Sequence, residues 1–213
     1  MRRGGRNIGA VIGALALGLP MAGAAEELPP CHAAPPVEAG TAETGAETRV
    51  TIADAPLVDQ AGKRVRFADV AGDRIVVANF VYTSCTTVCP VLSGVFTSLQ
   101  ERLGDQLGSK VQLVSVSIDP ARDTPARLAE MAKRHKSGPA WRWLTGEKAD
   151  VERVLRGFGT YVPDPAAHAP VVLVGDPRSG TWYRLNGFPT PEVLAGRVDQ
   201  LLAARTAGAE RAR

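Results

Sequence analysis

In 74-RIVVANFVYTSCTTVCPVLSGVFTSLQERL-103 a strand pattern gives way to a helix pattern across two cysteines. Residues 74–82 are an almost unbroken β-branched apolar run, as expected of a central strand buried on both faces. Further on, Val91, Val95, Leu99 and Leu103 recur at helical spacing, and Gly104 offers a stop. Proline is tolerated in the first turn of a helix and pushes the residue before it away from helical dihedrals. With Pro90 in place, the helix is expected to start near Cys89 or Pro90, leaving Cys85 in the strand-to-helix turn. Free amides and the positive end of a helix dipole stabilise a thiolate at such a turn.

The pattern continues outward. A second buried strand is read at 111-VQLVSVSI-118, and Asp123-Thr124-Pro125 supplies a cap and a first-turn proline for a helix over about 126–135. A shorter helix is expected at 149–157, strands at 170-PVVLVGD-176 and 181-TWYRLNG-187, and a closing helix at about 191–204. This β-α-β-α order, ended by a strand pair and a helix, implies an α/β fold: a central mixed sheet with helices on both faces. Ligand chemistry in such folds gathers at the carboxyl ends of the parallel strands. Cys85 and Asp119 both fall there.

With 213 residues, 45% hydrophobic and 22% charged, the chain suits one soluble domain with appendages. Arg2, Arg3 and Arg6 account for the whole formal charge of +3. No basic stripe with interleaved aromatics appears, so no nucleic acid partner is expected. Those arginines, the apolar 8-IGAVIGALALGL-19, Pro20 and 22-AGA-24 read as a signal peptide over 1–24, or as a membrane anchor if it is kept. Either way the domain is expected in the periplasm or on the outer face of the inner membrane, where cysteine pairs can be oxidised. Residues 25–48, rich in Pro, Ala, Gly and Glu, read as a flexible linker, 49–205 as the folded unit and 206–213 as a frayed tail.

Cys85 and Cys89 could be two buried core thiols, a structural disulfide or a functional pair. A clip across so short a loop removes little entropy from the unfolded chain, which weighs against the structural disulfide. Two thiolates suit copper(I) or zinc, but a closed zinc site needs four ligands. The chain has three histidines and one further cysteine. Cys31 and His32 lie in the linker and read as chance ligands; His135, among Lys133, Arg134 and Lys136, reads as a surface residue. His168 lies in a loop just before the strand expected to neighbour the Cys85 strand, which makes it the best third ligand. Two sulfurs and one imidazole form a three-coordinate site that accepts copper(I) and can hand it on.

Together, 82-YTSCTTVCP-90, 116-VSIDPARDTP-125 and a histidine ahead of the penultimate strand resemble the Sco/SenC family over about residues 50–204. The resemblance implies a thioredoxin-like fold and a copper chaperone that helps assemble the dinuclear copper centre of cytochrome c oxidase. It also implies a thiol–disulfide reductant acting on a copper-receiving respiratory protein. Residue by residue, it implies that Cys85 and Cys89 are the copper-binding, redox-active pair, His168 the histidine ligand, and Asp119 and Asp123 the acidic pair beside the site. Asp119 could orient its loop through Arg122, and Asp123 could cap the following helix. The chain departs from the family in having Ala167 before the histidine, where many members carry aspartate, and Thr-Thr-Val between the cysteines. Pro170 is similar in position to the cis-proline that other thioredoxin-like proteins place beside their active cysteines. A peroxidase role is disfavoured, because 82-YTSCTT-87 lacks the proline-threonine-cysteine context of peroxiredoxins.

Overall fold

A computed structural model describes residues 45–211. The expected signal or anchor at 1–24, most of the expected linker, and Cys31-His32 lie outside the described residues.

The strands are β1 (Ala46–Thr48), β2 (Pro56–Asp59), β3 (Arg64–Arg66), β4 (Ile75–Val81), β5 (Val111–Ser117), β6 (Trp141–Thr145), β7 (Val171–Asp176) and β8 (Thr181–Asn186). They form one mixed sheet in the order β1-β8-β7-β4-β5-β6-β2-β3. At its centre β4, β5 and β6 run parallel, while β7 lies antiparallel on the other side of β4. The helices are α1 (Phe67–Ala71), α2 (Val88–Leu103), α3 (Pro125–Arg134), α4 (Lys148–Gly157) and α5 (Pro191–Arg211).

Side chains alternate across a strand, so β4 feeds two cores at once. Ile75, Val77 and Val81 join Leu92, Phe96 and Leu99 of α2, Leu128 and Met131 of α3, and Leu194 and Val198 of α5. Val76, Ala78 and Phe80 join Phe67 and Val70 of α1 and Val151, Val154 and Leu155 of α4 on the opposite face. Every residue of β4 and β5 is buried, including the polar Asn79, Gln112, Ser115 and Ser117. Burying a side chain such as Leu92 or Phe96 contributes about 1.5–3 kcal/mol, so the α2 face is a principal source of stability. One polar chain crosses the first core: Trp141 Nε1 donates to Ser115 Oγ at 2.9 Å, which donates to Asn79 Oδ1 at 2.6 Å.

The structure departs from the sequence reading in several places. The buried stripe of α2 is Cys89, Leu92, Phe96, Leu99 and Leu103, and Val91 is 52% exposed. The bulkier set won the core, and Val91 lies one position round the helix from it. Residues 46–48, within the expected linker, pair with β8. The last helix continues to Arg211 through the segment expected to fray; Ala207, Ala209, Glu210 and Arg211 favour helix there. Thr124, not Asp123, caps α3, accepting from Arg127 N at 3.3 Å. No described peptide bond is cis, so Pro170 does not reproduce a cis-proline.

Candidate metal and redox site

Cys85 leaves β4 in a tight turn, its amide donating to Tyr82 O at 3.1 Å. The N-cap of α2, Thr87, gives no side-chain bond to the helix. Cys85 Sγ takes that place and accepts from Cys89 N at 3.3 Å. A sulfur that caps a helix is more stable as the anion.

Both thiols are buried and free of any disulfide: Cys85 is 7% exposed and Cys89 3%. Their acidities are split. Burial pushes the Cys85 thiol up, but hydrogen bonds from the Cys89 thiol, the Cys89 and Thr87 amides and the Tyr82 hydroxyl outweigh it, bringing it down to about 7. Cys89 is pushed up to about 12 by burial, then by its bond to Cys85, with the Asp123 charge adding to the effect. Tyr82 is likewise pushed up to about 12, first by burial and then by its bond to Cys85. At neutral pH Cys85 is therefore divided between thiolate and thiol, while Cys89 stays a thiol.

The acids brace the turn from β5. Asp123 is 1% exposed; its Oδ1 accepts from Thr83 N at 3.0 Å and Thr83 Oγ1 at 2.6 Å, and its Oδ2 from Ser117 Oγ at 2.6 Å. It ties the loop after β5 to the residue two before Cys85. Asp119 accepts from Arg122 Nη1 at 2.9 Å, and its carbonyl accepts from Asp123 N at 2.9 Å. Tyr82, Thr83 and Ser117 escaped the sequence reading as working residues. Their signal was position alone, at the carboxyl ends of β4 and β5.

His168 follows a short 3-10 turn, Pro165–Ala167, and precedes β7, which pairs with β4 from Asn79↔Val172 onward. It therefore lies at the same end of the sheet as the cysteines. Its half-buried ring sits 6.1 Å from the Phe80 ring, and Phe80 belongs to the core on the face opposite Cys85 and Cys89. Burial, then the nearby Arg184 charge, lowers its pKa below the usual imidazole value, so it is neutral at pH 7. Among the described residues no three His, Cys, Asp or Glu side chains converge closely enough to hold a metal ion. The cysteines and both acids are thus together, and His168 stands apart from the sulfurs. His135 is not a simple surface residue: it stacks on Trp143 at 6.3 Å.

A buried dithiol at the start of the helix following the central strand of such a sheet defines a thioredoxin-like domain. Residues 44–202 match the family model SCO1/SenC, and the chain belongs to that family. A SCO1 protein homolog of Bacillus subtilis is 31% identical over 117 residues, 54% of this chain and 60% of the relative's length. The solved structure of BsSco, a Sco-family cytochrome c oxidase assembly protein with a disulfide switch, aligns with TM-score 0.63 and 25% identity over 76% of this chain and 97% of its own. Bradyrhizobium japonicum ScoI, solved with copper bound, aligns with TM-score 0.57 and 26% identity over 74% and 99% of the two chains. Among the described residues no helix is long and apolar enough to cross a membrane.

Proposed function

We propose that this chain is an extracytoplasmic copper carrier that binds one copper ion through Cys85, Cys89 and His168 and passes it to a respiratory copper protein such as a cytochrome c oxidase subunit. The observation that carries this reading is the buried, reduced dithiol at the head of α2, with one sulfur favoured as thiolate. Soft thiolates select copper(I), and His168 is a neutral imidazole at the same end of the sheet. The binding of copper by the Bradyrhizobium relative supports the choice of metal. Approach of His168 to the sulfurs requires movement of the 160–168 segment, whose internal bonds are local: Ala167 N to Asp164 O at 3.0 Å and His168 N to Pro165 O at 3.2 Å. Such short-range bonds re-form easily after a rigid shift of the turn.

Competition titration of the reduced chain against a copper(I) chelator tests the reading. One tight equivalent is expected. Loss of an outer-shell partner commonly costs about 10–100-fold in metal affinity, so Cys85→Ala, Cys89→Ala or His168→Ala should each cost more than roughly 100-fold. A triple variant that binds as tightly as the parent overturns the reading. Affinity should also fall on acidification, because binding competes with protons for Cys85, Cys89 and His168.

The split thiols favour a second role on the same site, reduction of a disulfide in the receiving protein. Cys85, the more acidic and more exposed, would attack, and Cys89 would resolve the mixed disulfide. Export by the segment at 1–24 places both roles outside the cytoplasm and supplies either a cleaved leader or an anchor.

A further inference from the structure

Beside the Cys85 turn runs an open groove of about 470 Å³, walled by Thr83 and Ser84 on one side and by Ala126, Arg127, Glu130 and Arg134 of α3 on the other. Ser84 adjoins Cys85 and is exposed, as are the three charged residues. The charge is lopsided: Arg127, Lys133, Arg134 and Lys136 face a single acid, Glu130, over residues 125–136. Of the described basic side chains, some such as Arg102, Arg142, Arg156 and Arg205 are ion-paired, while others, among them Lys63, Lys110 and Arg197, are not. Among the described residues Arg127, Lys133, Arg134 and Lys136 have no ion-pair partner.

Helix stability explains part of this. Lys133 and Arg134 occupy the last turn of α3, where cations complement the dipole. Arg127 does not fit that explanation, because it stands in the first turn, where a cation is disfavoured. One Nη1 donates to Arg122 O at 3.2 Å, which holds the side chain across the helix start without neutralising it. An exposed, unpaired guanidinium on the wall of a groove that opens at the reactive cysteine is open to a partner from outside the chain. A net positive groove attracts an acidic one and raises its rate of encounter.

We propose that this groove docks an acidic segment of the protein that exchanges copper or a disulfide with Cys85; this rests on the reading of Cys85 and Cys89 as the exchanging pair. The docked segment lies along α3, and its carboxylates pair with Arg127 and Arg134. Its own cysteine is thereby delivered at Ser84, next to the Cys85 sulfur.

The test uses the reduced full-length chain carrying Cys31→Ser, so that Cys85 and Cys89 are its only thiols, and three synthetic peptides, each with one cysteine held as a mixed disulfide with thionitrobenzoate. The flanking residues are glutamates, glutamines or lysines. Cys85 thiolate attacks the peptide sulfur, a Cys85–peptide disulfide forms, and thionitrobenzoate leaves as a coloured thiolate. Cys89, after giving its proton to water, then attacks Cys85 Sγ, releasing the peptide as a thiol and leaving the Cys85–Cys89 disulfide. At low ionic strength the glutamate peptide should react about tenfold faster than the glutamine peptide, and the lysine peptide slower than both. The preference should collapse near 1 M salt, where charges are screened beyond about 3 Å. Combining Arg127→Gln with Arg134→Gln should bring the glutamate peptide down to the rate of the glutamine peptide. Lys110→Gln, at the opposite end of the sheet, should change nothing. Equal rates for the three peptides, or an equal loss in Lys110→Gln, overturn the docking groove. Failure of all three peptides to react overturns the exchanging-pair reading instead.

Discussion

Iodoacetamide at pH 7 is expected to alkylate Cys85 roughly a hundredfold or more faster than Cys89. The magnitude follows from the split of the two thiols, about 7 and about 12. About half of Cys85 is thiolate at pH 7, against about one part in 10⁵ of Cys89, while the greater intrinsic nucleophilicity of the more basic sulfur returns roughly two of those five decades. The deeper burial of Cys89 acts in the same direction. The pH dependence has a definite sign: the Cys85 rate should rise as pH increases through about 7 and level off well below the range of an ordinary thiol. Both cysteines fall in one tryptic peptide, 75–102, so fragment-ion mass spectrometry of that peptide separates them. Equal labelling of the two, or a Cys85 profile still rising at pH 9, contradicts the helix-capping role of the Cys85 sulfur.

Replacing Asp123 by alanine is expected to destabilise the domain by about 3 kcal/mol, since each hydrogen bond to a buried charged group is worth roughly 1.5–3 kcal/mol and the orphaned donors add desolvation. The carboxylate is buried and satisfies Thr83 N, Thr83 Oγ1 and Ser117 Oγ together. For a domain of this size that loss corresponds to a fall of about 6–12 °C in Tm. Asp123→Asn keeps the volume and one acceptor oxygen, so it should lose less. It should also lower the pKa of Cys89, because the carboxylate charge contributes to pushing that thiol up. Thermal unfolding checks the first effect, and the labelling rate of Cys89 at pH 9 checks the second. A Tm unchanged in Asp123→Ala contradicts the bracing role.

Much of this architecture was legible because the central elements are buried on both faces. β4 announces itself as an almost continuous apolar run and β5 as a valine- and leucine-rich strand, and Pro90 marks the head of α2 to within two residues of its observed start at Val88. The peripheral pieces did not announce themselves. β1 and β3 have three residues each, and α1 has five, too few to show a period. β6, 141-WRWLT-145, carries Arg142 in the middle of a short run and follows Gly138-Pro139, so it passes for loop. It becomes a strand because its backbone pairs with β5 and β2, and because Trp141 and Trp143 stack 4.9 Å apart in the core.

The site was legible to the same degree and for the same reason. Cys85, Asp119 and Asp123 follow the ends of central strands, so the fold alone brings them to one edge. The roles of the acids needed coordinates: a local pattern suggested that Asp123 caps α3, whereas it reaches across to Thr83, 40 residues away in sequence. The neighbourhood of His168 was also legible, because β7 had to lie beside β4. Its stance was not, since no pattern in residues 161–168 distinguishes a ring turned toward Phe80, as found, from one turned toward the sulfurs.

X-ray absorption at the copper edge of the reduced chain loaded with one equivalent of copper(I) addresses the central claim most directly. Two sulfur scatterers and one imidazole nitrogen are predicted in the first coordination shell, with the imidazole signal lost in His168→Ala and sulfur lost in Cys85→Ala and Cys89→Ala. A first shell in the parent that is unchanged by any of these three substitutions would contradict it.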